Sequence, residues 1–259
     1  MLTMYSYEEL QSGDPLFFSG VGHLKPIYLR DIKPSGTGVP VYNYYLQLLK
    51  ADPPTIVKMI NGEGAKITDD ANSYSLITSN AQLRNTYRAV LDFFMCELVL
   101  YNQRDGYFAV IIKPTQEELE NPEFQPNEVG RITQENFDKV RIAMLEMNYV
   151  PSENTDIDIK FSSPEAEINY WRVKEWEEKL EPISKKQESY LTMGNMISKI
   201  CALHPSYNYL NIYDLTVYQF YDTFYQLAYM RGRQFAENVV SHLGGENFDY
   251  NEWLKPAKI

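Results

Sequence analysis

Apolar positions recur three and four residues apart over much of the chain, and the densest such run lies near its C-terminal end. Between Asn211 and Arg231, Val217, Phe220, Tyr221, Phe224, Leu227 and Ala228 form one stripe at helical spacing. Tyr218, Asp222, Tyr225 and Tyr229 form a second. A surface helix needs only one apolar stripe. A helix with two is buried on two sides or holds a partner on the second. Tyrosine suits a partner face, because it offers a large area at low entropic cost and keeps a polar tip. The pattern predicts a helix from Asn211 to about His242, stopped by Gly244-Gly245.

The rest of the pattern predicts further elements. Residues 14–38 are rich in Gly and Pro and read as an irregular, partly extended segment. A short helix follows over Val41–Lys50, and Pro54 starts another through Ile60. Residues 61–72 read as a loop. Ser79 and Gln82 have capping-box spacing ahead of a helix to about Cys96 carrying Leu83, Tyr87, Val90, Leu91 and Phe94. Glu97–Tyr101 and Tyr107–Ile112 read as a β-hairpin turned by Asp105-Gly106, with Glu128–Ile132 as third strand beyond a polar loop at 114–127. Thr133 heads a helix ending near Asn148. Ser163-Pro164 starts a charged helix to Leu180, and Glu188–His204 gives another that Pro205 ends.

This sum is α+β and mainly helical: helical layers around a small central antiparallel β-meander. Three regions suggest themselves. Residues 1–78 are irregular and helical, 79–150 hold helix, meander and helix, and 151–259 are helical; one compact domain overall is the alternative.

Composition narrows the function. The 259 residues carry a formal net charge of −11, which speaks against nucleic acid and against an anionic membrane surface as partners. Cys96 and Cys201 sit among apolar neighbours and read as buried free thiols in a reducing compartment. The N-terminus lacks a basic, apolar leader, and no stretch approaches the roughly 18 apolar residues of a membrane span, so a soluble intracellular protein is expected.

Catalytic signals are weak. His23, His204 and His242 lie far apart in sequence, without a second histidine at helical spacing, and no Cys-x-x-Cys occurs. Glycines in Gly36-Thr-Gly38 and Gly62-Glu-Gly64 match neither a dinucleotide fingerprint nor a P-loop. No nucleophile elbow is present, and nothing selects one carboxylate pair from 35 acidic residues. The expectation is therefore no enzyme, no cofactor and no metal site.

Several short motifs taken together carry a resemblance: Gly13-Asp-Pro15, Leu29-Arg-Asp-Ile32, Tyr42 to Leu49, Asn136-Phe-Asp-Lys-Val-Arg141, Asn148-Tyr149, Ile212 to Asp222 and Trp253-Leu-Lys-Pro256. The set resembles a protein family of tailed phages and prophages of Gram-positive bacteria, whose members look like tail assembly chaperones. The resemblance implies a non-enzymatic tail morphogenesis factor in the host cytoplasm that binds the tape measure protein and hands it to the tail tube protein. A structural virion component, connector or baseplate, and a phage effector acting on a host protein are the alternatives. Under the chaperone reading the contact residues are Tyr218, Tyr225 and Tyr229, with Tyr42, Tyr44 and Tyr45 as a second cluster. The competing reading is that these tyrosines fill the protein's own core. Oligomeric state stays open.

Overall fold

The computed structural model describes residues 4–62, 72–120, 126–150 and 192–243. The chain divides into two compact units, Met1–Ser152 with Asp214–Phe220 and Glu153–Tyr213 with Tyr221–Ile259. The architecture is α+β and mainly helical, with one two-stranded and one three-stranded antiparallel sheet among the described residues.

The first unit opens with α1 (Tyr7–Ser12), the hairpin β1 (Leu16–Phe18) and β2 (Gly22–Leu24), and the single turn α2 (Leu29–Ile32). Helices α3 (Val39–Lys50), α4 (Pro53–Asn61), α5 (Ser73–Ser79) and α6 (Ala81–Phe94) follow. The meander β3 (Leu98–Asn102), β4 (Tyr107–Ile111) and β5 (Glu128–Ile132) comes next, with α7 (Gln116–Glu120) between its last two strands and α8 (Phe137–Glu146) after it.

The meander has the strand order and antiparallel pairing that the sequence predicts, with Leu98 opposite Ile111 and Phe108 opposite Ile132. Its first turn closes because the Asn102 side chain accepts from the backbone of Arg104 and Asp105, and Gly106 takes a left-handed φ of 74°. Strand β4 is buried along its whole length. Phe108 meets the rings of Tyr74 and Tyr101, while Tyr107, Ala109 and Ile111 pack with Leu98 in a separate cluster.

Helices α3, α6 and α8 supply the main core. Tyr42, Tyr87, Phe94 and Phe137 are almost completely buried there. The Tyr87 hydroxyl donates to the Leu48 carbonyl at 2.7 Å, and burial raises its pKa. The Tyr74 hydroxyl lies 3.0 and 3.1 Å from the carbonyls of Gly106 and Ile132, and burial pushes it up to about 12. Polar tips thus reach acceptors while the rings fill the interior.

Several boundaries differ from the sequence reading, each for a local reason. Asn80, not Ser79, caps α6: its side chain accepts from Gln82 and Leu83, whereas the Ser79 hydroxyl turns back to the Leu76 carbonyl and closes α5. The segment 14–38 contains a true hairpin, and α7 stands in the polar loop 114–127. The helix α8 starts at Phe137 rather than at Thr133, because the Asn136 side chain accepts from the Thr133 backbone and holds an intervening turn. The thiols of Cys96 and Cys201 are free but only half-buried. The predicted helix 163–180 and the tail around Trp253 lie outside the described residues.

The edge of the meander is occupied at one point. The backbone N–H of Arg131 in β5 donates to the Gly20 carbonyl in the β1–β2 turn. A methyl on Gly130 would stand 2.3 Å from the Val21 carbonyl oxygen, so only glycine permits this approach.

In the second unit the described helix is α9 (Met193–Leu203), which starts on a Thr192 cap and stops before Pro205. The longest helix, α10 (Val217–Leu243), begins in the first unit and continues into the second. It starts six residues later than predicted, after a 3-10 turn at Ile212–Asp214. Leu215 accepts from the Leu29 backbone and Val217 donates to the Ile27 carbonyl, which holds this stretch extended. Thr216 and Gln219 then form a reciprocal cap: the Thr216 hydroxyl accepts from the Gln219 backbone, and the Gln219 side chain accepts from the Thr216 backbone.

Candidate partner-binding surface

The six tyrosines singled out by sequence occupy different environments. Tyr42 is 1% exposed, and its hydroxyl donates to the Asn148 side chain at 2.8 Å. Asn148 in turn donates to the Met144 carbonyl. Tyr42 is therefore committed to the interior of the first unit. Tyr44, one helical face away, is 49% exposed. Tyr45 is half-buried, with its ring edge-on to Phe93 at 5.4 Å.

Tyr218 is half-buried and meets the ring of Tyr149 in a T-shaped contact at 5.1 Å. Tyr149 ends α8 with a left-handed φ of 59°, the position at which helices commonly place glycine. The bonds from Tyr149 to Glu146 and from Val150 to Leu145 close the helix there. Tyr225 and Tyr229 are half-buried, and the ring of Tyr225 lies 5.5 Å from that of Phe224. Asp222, on the same predicted stripe, is buried. Burial, and secondarily the neighbouring Tyr225, raises the pKa of Tyr221.

The first stripe of α10 divides along its length. Val217 and Phe220 are buried in the first unit and Phe224 in the second, but Leu227 is only half-buried and Ala228 is exposed. Where the stripe opens, it forms one wall of a groove in the second unit. Phe224, Leu227, Ala228 and Arg231 of α10 face Lys199, Ile200 and Leu203 of α9 across a volume of about 280 Å³. The walls are almost entirely carbon, and Lys199 and Arg231 are the charged residues among those that line them. Leu203 and Met230 are exposed, as are Tyr209 and Leu210 on the loop after α9.

The sequence reading overlooked this groove. The sequence places Leu227 and Ala228 on a stripe expected to bury itself, and Lys199 and Leu203 carry no motif. The available signal was the spacing Phe224-Leu227-Ala228-Arg231, an apolar helical stripe that ends in a cation.

Chemistry-bearing side chains are sparsely gathered. His23 Nδ1 lies 2.8 Å from Glu97, whose carboxylate also accepts from the His23 backbone, so this carboxylate ties β2 to the start of β3. Burial pushes the thiols of Cys96 and Cys201 up, away from the reactive thiolate. Among the described residues no cluster of three His, Cys, Asp or Glu side chains is arranged to hold a metal ion. No described helix is long and apolar enough to cross a membrane.

Residues 184–258 match the family model described as the YomV second domain, a name associated with phages and prophages. The matched span includes all of α9 and α10. No curated protein and no solved structure matches the chain.

Proposed function

We propose that the protein is a phage-encoded tail morphogenesis factor that works by binding, as a tail assembly chaperone for the tape measure protein; the family match supports the phage association alone. The observation that carries the reading is the apolar groove of the second unit, walled by Leu203 and Leu227. An apolar groove open to solvent marks a partner site more often than it marks an ordinary solvated face. A tape measure protein is long and helical, and its apolar stripes need cover until the tube encloses them. An acidic chain with a net charge of −11 keeps such a complex soluble. The setting for this role is the host cytoplasm, where the half-buried free thiols remain reduced.

Affinity capture of the tagged full chain from phage-infected cells, with mass spectrometry of what it retains, tests the reading. Recovery of the tape measure protein, with or without the tail tube protein, supports it. Recovery of a host protein alone overturns it in favour of an effector. Mass spectrometry of purified virions supplies the second arm: a chaperone is missing, whereas a connector or baseplate protein is present in stoichiometric amount.

A further inference from the structure

We infer that the groove between α9 and α10 receives an amphipathic helix of the partner, one that carries acidic residues beside its apolar stripe. The inference deepens the binding role proposed above and rests on it. Three observations combine.

The first concerns the walls. Both are helices, and their backbone N–H and C=O groups are used within the helices themselves. A strand added to this site would find no peptide groups to pair with. The occupant must satisfy its own backbone, and a helix does so. Ala228, exposed between Leu227 and Arg231, thins one wall and lets a third helix approach closely.

The second concerns size. At about 280 Å³, the groove falls just below the roughly 300–1,000 Å³ typical of pockets that enclose small molecules. It admits a few apolar side chains from a helix lying along it.

The third concerns charge. Among the described residues Lys199, which is exposed, makes no ion pair, and the hydrogen bond of Arg231 goes to the neutral amide of Gln234. The chain as a whole is strongly acidic, so two such cations at an otherwise carbon-lined groove select a carboxylate locally. Among the described residues that line the groove none is acidic.

The test uses the full chain and two fluorescein-labelled helical peptides with the same apolar stripe. One is flanked by glutamates and the other by lysines. Fluorescence anisotropy should show the glutamate peptide binding about tenfold or more tightly than the lysine peptide. Ala228→Glu, at an exposed position that leaves the interior intact, should abolish binding while thermal unfolding stays cooperative. Leu227→Glu should do the same. The double reversal Lys199→Glu with Arg231→Glu should invert the preference. Equal binding of both peptides, binding of neither, or binding unaffected by Ala228→Glu overturns the inference. So does a wild-type dimer that Ala228→Glu dissociates in sedimentation experiments, because the occupant is then a second copy. Failure here is separable from failure of the functional reading. If the Ala228→Glu chain still captures the tape measure protein from infected cells, the chaperone role stands and the groove is excluded. If the wild-type chain captures none, the role falls whatever the peptides do.

Discussion

Tyr149 holds a backbone conformation that costs an L-residue about 1–2 kcal/mol and costs glycine almost nothing. Its ring contact with Tyr218 is the visible compensation. Replacing Tyr149 by Ala or Gly removes the ring in both cases but relieves the backbone only with Gly. Tyr149→Gly is therefore expected to be about 1 kcal/mol more stable than Tyr149→Ala in chemical denaturation. Tyr42 is the opposite kind of residue, a ring whose hydroxyl serves buried Asn148. Tyr42→Phe should cost about 1–2 kcal/mol by leaving that acceptor unpaired, and should leave partner capture unchanged. Glu146 is raised above the usual carboxylate range by burial, with the Met4 backbone N–H opposing the shift. The folded chain accordingly takes up this proton more readily than the unfolded chain. Stability is gained as pH falls through the raised folded value and lost as pH rises through it. Glu146→Gln keeps an oxygen for Met4 and removes the buried charge. It should melt higher than wild type near neutral pH, with the difference closing in acid.

At the scale of elements, caps decide where helices begin, and the sequence reading misplaced them where two polar residues compete. Ser79 and Asn80 are both competent caps, and only the fold shows Ser79 spent on the Leu76 carbonyl. The start of α10 was displaced by pairing with residues 27–29, which are nearly two hundred positions away in the chain and therefore invisible to a local window. The Thr216–Gln219 cap spacing is a local signal that the predicted start at Asn211 passes over. The meander was legible to within a residue at its strand ends, because the apolar run from Tyr107 and the turn at Asp105-Gly106 are local signals. Asp52 illustrates a cap that pH can switch. It heads α4, and hydrogen bonds from Thr55 hold its carboxyl below the ordinary value. The cap's contribution is fully present above the ordinary carboxylate range and fades as pH falls through the lowered folded value. Asp52→Ala should cost about 1 kcal/mol at neutral pH, and Asp52→Asn much less, by thermal unfolding.

For the molecule as a whole, the class could be read from periodicity, but the candidate site could not. The aromatic stripe of α10 announced a helix with two demands on its surface. Which turns meet solvent depends on what α9 covers, and α9 meets α10 only in the folded chain. Thus Phe224 is interior while, a turn further on, Leu227 is half-buried and Ala228 exposed. The tyrosines stand out in the sequence because they are large and numerous. The groove is made instead of aliphatic side chains and two cations that look ordinary in sequence.

The seat of the β1–β2 turn on β5 has a consequence for behaviour at high protein concentration. An open strand edge can recruit the same strand from another molecule, and ordered aggregates grow from such pairing. Here one amide of that edge is already engaged by Gly20, and the engagement depends on Gly130 having no side chain. Gly130→Ala would push the turn away, at a cost of about 1–3 kcal/mol. Its more telling effect should be on how the protein fails. Wild type should unfold into soluble chains on mild heating, whereas the variant should deposit thioflavin-positive material at a rate that rises with concentration. A single hydrogen atom at position 130 would then be what keeps the sheet three strands wide.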